Sequence, residues 1–285
     1  MNERKNWDAL ADVPGTDAVS VAGDEDCRHA SGVSRSGRRR LDQAMVEQGL
    51  CESREKAKRA ILAGQVRVNR QVARKPSDSV KPADLIALDA ADRYVGRGGH
   101  KLEGALRGFG FKVEGMTAVD MGASTGGFTD CLLQHGAVRV YAVDVGTGQL
   151  AWKLRQDPRV VVMEKVNARA LHPGSFPPPF APVDLVVIDC SFISLRLLLP
   201  AAGNVLRARG TILALIKPQF EAGRREVDRG QGVIRDPDIH RRVIGELEAF
   251  VREQAHLEWR GVVESPLVGP AGNKEFLVKI EKTGA

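Results

Sequence analysis

Two acidic residues, each closing a compact apolar run, frame the first chemistry legible in this 285-residue sequence. Asp120 closes TAVD and leads into Met121, Gly122, Ala123, Ser124, Thr125, Gly126, Gly127 and Phe128, while Asp144 closes RVYAVD. Small residues let a backbone approach a ligand closely, and open α/β sheets bind ligands where strands end at their carboxyl side. A carboxylate at such a strand end accepts hydrogen bonds from ribose hydroxyls, so the pair predicts a nucleoside site. Asp144 by itself suits a dinucleotide equally well.

The first loop separates the two ligands. Gly-Ala-Ser-Thr-Gly-Gly is not the G-x-G-x-x-G of a pyrophosphate cradle, and Asp120 would repel a phosphate but attract the ammonium of a methionine. The expected cofactor is therefore S-adenosyl-L-methionine, held by Asp120, Gly122, Ala123, Ser124, Gly126, Gly127, Phe128 and Asp144. Asn167 follows the next apolar run; its amide either reads the adenine edge or simply stabilises a turn.

These loops need strands to carry them. TAVDMGA, RVYAVDV, VVVMEKV, DLVVIDC and TILALIKP are short, continuous apolar runs, the pattern of parallel strands buried on both faces. HLEWRGVVES and KEFLVKIEK, separated by a Gly/Pro loop, read as a terminal antiparallel pair. The expected fold class is α/β: a Rossmann-like class I methyltransferase domain with a mostly parallel seven-stranded sheet over residues 98–285.

A different pattern precedes it. Leu41, Ala44 and Met45 follow a helical period that stops at Gly49, and Ser53 is placed to cap a second helix closed by Gly64. Val66 and Val68 then alternate with polar residues, and the Asn69-Arg70-Gln71 turn leads to Val72, as in a small hairpin. Residues 38–90 thus form a small α+β domain, 91–97 a linker, and the Gly-, Ser-, Asp- and Ala-rich residues 1–37 a disordered tail.

Charge is concentrated in the small domain. Residues 31–101 hold 16 basic and 8 acidic side chains, whereas 102–285 hold 23 and 21, and 1–30 hold 3 and 7. A folded basic block of that size faces a polyanion or is a solvated surface. Cys27, Cys51, Cys131 and Cys190 are scattered, and the six histidines form no ligand pattern, so no metal is expected. There is no run of about 18 apolar residues and no secretory h-region, so the expectation is a cytoplasmic protein without membrane contact.

The G-x-V-x-V-N string after two short helices resembles the RNA-binding domain of ribosomal-protein-S-four type. That resemblance implies that Arg38, Arg39, Arg40, Lys56 and Arg59 face structured RNA. RGGHKLEGAL, DMGASTGGFTDCLL, VVIDCSFISL, LIKPQFEAG and GNKEFLVKI, in this order, resemble the haemolysin TlyA family of ribosomal RNA 2′-O-methyltransferases across about residues 38–282. The resemblance implies methylation of cytidine 2′-hydroxyls in 16S or 23S ribosomal RNA, with ribosomal RNA or ribosomal subunits as partners. It also implies a catalytic Lys-Asp-Lys-Glu tetrad, which falls on Lys101, Asp189, Lys217 and Glu275. In that family a tryptophan is expected where Tyr94 stands.

A ribose 2′-hydroxyl is a weak acid, so its attack on a methyl sulfonium needs a base or a cation, together with in-line positioning. Burial and a second cation such as Lys101 would favour neutral Lys217, while Asp189 and Glu275 would orient its ammonium and oppose that effect. The charged, Gly-rich stretch EAGRREVDRGQGVIRDP is either a loop that closes over RNA or an inert surface loop. Two rival readings stay open: a membrane-active haemolysin, against which stands the lack of an amphipathic membrane helix, and a non-catalytic ribosome-assembly factor.

Overall fold

The computed structural model describes residues 37–88, 92–254 and 256–284. The predicted tail, apart from Gly37, lies outside them. The chain divides into two units, residues 1–90 and 91–285.

In the first unit a two-residue strand, β1 (Arg39–Arg40), enters α1 (Leu41–Glu47), and α2 (Arg54–Leu62) follows. Ser53 caps α2 by accepting a hydrogen bond from the Lys56 amide at 3.3 Å. Leu41, Met45, Ala57 and Ile61 bury the facing sides of both helices against Val66 and Ile86. β2 (Val66–Val68) and β3 (Gln71–Val72) form the expected hairpin. Its turn is only Asn69 and Arg70, both at positive φ (50° and 70°), which suits a tight two-residue hairpin, so Gln71 already belongs to the strand. β4 (Ser79–Val80) pairs with β1, and β5 (Ile86–Leu88) with β2; the sequence pattern was too short to announce either. In the first turn of α1, fully buried Asp42 is neutralised by Arg40 and Arg54, each at 3.0 Å.

The second unit is built on a seven-stranded sheet. Its strands are β6 (Thr117–Met121), β7 (Arg139–Asp144), β8 (Val160–Glu164), β9 (Val183–Ile188), β10 (Leu206–Ile216), β11 (Leu257–Glu264) and β12 (Phe276–Lys282). They lie in the order β11-β12-β10-β9-β6-β7-β8. β8, β7, β6, β9 and β10 are parallel neighbours, and β12 runs antiparallel between β10 and β11. Alternate residues of the central strands feed two apolar cores: Val119, Met121, Val186 and Ile212 enter one, and Ala118, Leu185, Val187 and Leu213 the other. That double burial is why these strands read as continuous apolar runs. Chain order reverses between β6 and β9, and the carboxyl ends there open into a crevice.

Helices α3 (Gly98–Gly108), α4 (Gly127–Gln134), α5 (Trp152–Arg155), α6 (Leu199–Val205), α7 (Pro218–Glu221), α8 (Arg224–Arg229) and α9 (Pro237–Glu253) complete the unit. The linker expected at 91–97 is a correction, because residues 92–97 are already packed on this unit. Tyr94 is buried against α3 and α4, the Val95 amide donates to Asp130 at 2.9 Å, and His100 faces Asp92 at 2.7 Å. An aromatic ring in an otherwise polar stretch was the signal for that anchoring.

Candidate active site

Four charged side chains from four separate elements converge on one cavity of about 640 Å³. Lys217, at the end of β10, has Nζ 2.7 Å from Asp189 Oδ1, just beyond β9, and donates to Ser191 Oγ at 3.0 Å. Lys101 Nζ donates to Glu275 Oε2, which precedes β12, at 2.6 Å. Both lysines and Glu275 are buried, and Asp189 is partly so. One detail differs from expectation: Glu275 is the partner of Lys101, which projects from the first turn of α3, and not that of Lys217. Sequence spacing could not assign these pairs, because the residues of each are 174 and 28 positions apart only along the chain, and strand order decides who meets whom.

The Gly-rich loop also lines this cavity through Gly122, Ala123, Ser124, Gly127 and Phe128. The amides of Gly122 and Ala123 both donate to the Val143 carbonyl, at 2.9 and 3.1 Å, which pins the loop to β7. Gly122 has φ +86°, and a Cβ there would lie 2.9 Å from the Asp189 carbonyl; only glycine lets the loop cross the end of β9. Gly126, expected at the ligand, instead caps α4 at φ +96° beneath Leu150 and Leu154. Asp144 accepts from the Ser124 amide at 2.8 Å and the Gly146 amide at 2.7 Å, and lines a small adjoining hollow.

Asn167 takes the second of its two alternative roles, and Asp120 departs from expectation. Asn167 lines neither cavity: its side chain caps a short 3₁₀ turn by accepting from the Arg169 amide at 3.0 Å, the turn role that a lone Asn serves. Asp120 is fully buried under the loop rather than exposed to the cavity. Its Oδ2 accepts from Thr129 Oγ1 at 2.7 Å, and Oδ1 has no partner. Burial pushes this carboxyl up to about 7, opposed by the Thr129 hydrogen bond and reinforced by Asp189. The folded chain thus holds the proton more tightly than the unfolded chain. The associated stability is complete below about pH 4 and is lost as pH rises towards 7. Asp120→Asn should flatten the fall in melting temperature across that window; an unchanged slope would show that Asp120 does not titrate there.

Residues that sequence reasoning passed over complete the walls. Ser191, Phe192, Gln219 and Phe220 lie beside the ion pairs, within the strings SFISL and KPQFE. Glu221 accepts from Ser194 Oγ at 2.6 Å and from the Leu195 amide at 2.7 Å, clamping the segment after β9 to the segment after β10. Asn273, buried two positions before Glu275, accepts from the Ile234 amide at 2.8 Å and donates to the Gly232 carbonyl at 2.9 Å. It thereby ties the charged Gly-rich stretch to the site, where Val227 and Gly232 line the cavity.

Of the basic side chains expected to meet RNA, all five are on the surface of the first unit, and three are already paired. Arg39 faces Glu47 and Lys56 faces Glu52 in exposed pairs worth little to stability. Arg40 is different, because it neutralises buried Asp42 and so belongs to the fold. Arg38 and Arg59 are exposed.

Residues 94–282 match the model of the FtsJ-like methyltransferase family, and residues 39–86 match the S4 domain. The chain belongs to the FtsJ-like methyltransferase family. It is 45% identical over 245 residues to the 16S/23S rRNA (cytidine-2′-O)-methyltransferase TlyA of Mycobacterium tuberculosis, covering 85% of this chain and 89% of that protein. It is also 41% identical to Hemolysin A of Brachyspira hyodysenteriae, over 84% of this chain and 98% of the relative. A solved structure of a Streptococcus thermophilus protein bearing a hemolysin name superposes with TM-score 0.66 at 46% identity, covering 86% of this chain and 89% of that one. This methyltransferase uses S-adenosylmethionine as its cofactor.

Proposed function

We propose that this methyltransferase modifies ribose 2′-hydroxyls of cytidine in ribosomal RNA, of the 16S molecule, the 23S molecule or both. The observation that carries the reading is the pair of buried lysine–carboxylate couples facing one cavity beside the Gly-rich loop. Its size is that of a nucleoside-scale ligand site.

The loop residues suit the cofactor. Gly122, Ala123, Ser124, Gly127, Phe128 and Asp144 would hold it: the Asp144 oxygens, each engaged by one amide, retain lone pairs for ribose hydroxyls. When bound, S-adenosylmethionine supplies a methyl group activated by its sulfonium. Lys217, held by Asp189 and Ser191, still carries an N–H for the 2′-oxygen and favours the negative charge that develops there. Once it has released one proton to solvent, the neutral amine can take that of the hydroxyl as the methyl group moves to the 2′-oxygen. Lys101 and Glu275 close the other side of the site.

The basic first unit supplies RNA affinity in this reading. Replacing Arg39, Lys56 and Arg59 together by neutral residues should weaken RNA binding and make its salt slope shallower by about 2–3, since roughly 0.7–0.9 counterions are released per phosphate contact. An unchanged slope would move the RNA contacts elsewhere. Ribosomal RNA as substrate also implies a cytoplasmic site of action. Among the described residues no helix is long and apolar enough to cross a membrane.

The deciding experiment maps 2′-O-methyl groups on ribosomal RNA transcripts and isolated subunits incubated with the full chain and S-adenosylmethionine. New methylation at a cytidine is expected. Cofactor binding without methylation of any of these substrates would overturn the reading, and lysis of liposomes by the purified chain would favour the membrane activity that the relatives' hemolysin names suggest.

A further inference from the structure

Phe192 stands out twice. Its side chain is 89% exposed, more than any other large hydrophobic side chain among the described residues, and its backbone sits at φ +64°, a region bulky residues avoid. Such geometry persists only where neighbours hold it, and it gathers at functional sites. Here the neighbours are identifiable: the Asp189 amide is held by the Met121 carbonyl at 3.0 Å, and the chain just beyond Phe192 is clamped by Glu221 through Ser194 and Leu195.

The Phe192 ring leans on Phe220, with centroids 5.1 Å apart and planes at 47°. Together the two rings form a partition. One side faces the catalytic cavity, and the other faces a separate open hollow whose rim carries Arg169, Ser194, Leu197 and Arg224. Arg169 is exposed and, among the described residues, has no side-chain ion pair. Arg224 is 95% exposed, with its nearest carboxylate, Asp228, 3.9 Å away. Neither arginine is therefore committed to the fold.

An exposed aromatic face flanked by two available guanidinium groups matches one chemical class, a single-stranded nucleotide. Bases stack on aromatic rings without sequence preference, and arginines grip the backbone phosphates. Because the hollow shares its wall with the cavity that takes the reacting ribose, its occupant must be close to that ribose along the same strand. We propose that this hollow binds the nucleotide flanking the methylated one, its base on the outer face of the Phe192–Phe220 pair and its phosphate between Arg169 and Arg224. The proposal rests on the RNA methyltransferase reading above and adds a second nucleotide site to it.

The test uses the full chain and a short single-stranded RNA holding one cytidine, measured both for binding and for methyl transfer. Arg169→Glu combined with Arg224→Glu should weaken binding on the order of tenfold and make the salt slope shallower by about 0.7, because a single strand releases roughly 0.7 counterions per neutralised phosphate and the two arginines share one. Cofactor affinity and melting temperature should stay unchanged, and Arg169→Lys with Arg224→Lys should recover most of the loss. An abasic unit beside the cytidine, placed on either side in turn, should weaken wild-type binding about tenfold in one arm and cost Phe192→Ala nothing further, as one lost stack would. Full affinity and an unchanged slope in the charge-reversal variant, or additive losses for the abasic unit and Phe192→Ala in both arms, would overturn the proposal. Reduced binding in the variants without methylation by the wild type would instead leave the hollow standing and remove the reaction assigned to this RNA.

Discussion

Lys217→Ala should lose methyl transfer by roughly 10²–10⁴-fold, the range for removing an acid–base group together with its positioning, while S-adenosylmethionine binding stays nearly intact. The reason is geometric: Lys217 touches Asp189 and Ser191, not the Gly122–Phe128 loop. Asp189→Asn is a less clean probe, because its backbone carbonyl lies against Gly122 and any shift there moves the loop. Lys217→Arg separates the two chemical roles of the amine. A guanidinium keeps the charge but does not shed its proton near neutral pH, so this variant should also be inactive if the amine takes the hydroxyl proton. Wild-type rates for Lys217→Arg across a pH series would remove deprotonation from the mechanism and leave a purely electrostatic role.

The second large effect concerns Lys101 and Glu275. This pair is buried on both sides, so Lys101→Met or Glu275→Leu alone leaves an uncompensated buried charge and should cost about 3–5 kcal/mol of stability. For a unit of this size each kcal/mol moves the melting temperature by roughly 2–4 °C, so the single variants should melt roughly 6–20 °C lower. The double variant Lys101→Met with Glu275→Leu should recover most of that stability, because two apolar side chains replace two compensated charges. Methyl transfer should remain absent in it. Restored activity alongside restored stability would assign the pair to the scaffold and take both residues out of the reaction.

The two stability experiments, on this pair and on Asp120, read opposite kinds of buried charge. Lys101 and Glu275 neutralise each other at 2.6 Å, whereas half of the Asp120 carboxyl has no partner and the group resists ionisation. A pH titration of melting temperature in the Lys101→Met/Glu275→Leu background should therefore keep the Asp120-dependent fall between about pH 4 and 7.

Local patterns in the sequence were enough to locate the five parallel strands of the large sheet, because strands buried on both faces must be apolar throughout, as Val186 to Ile188 and Ile212 to Ile216 are. The Ser53 cap and the Asn69-Arg70 turn were legible for the same reason: their chemistry is complete within a few residues. The cavity-lining loop from Gly122 to Phe128 could be read likewise, since close backbone approach demands small residues. Tertiary structure decided what depends on residues far apart in the chain. It paired Lys101 with Glu275 and Lys217 with Asp189, because α3 and the ends of β9, β10 and β12 meet only once the sheet is ordered. It sank Asp120 beneath its own loop and drew Arg40 onto buried Asp42. It also put Phe192 and Phe220 side by side as a partition between two cavities. Residue type and spacing record what a segment can do locally; burial and pairing are properties of the neighbours that folding supplies.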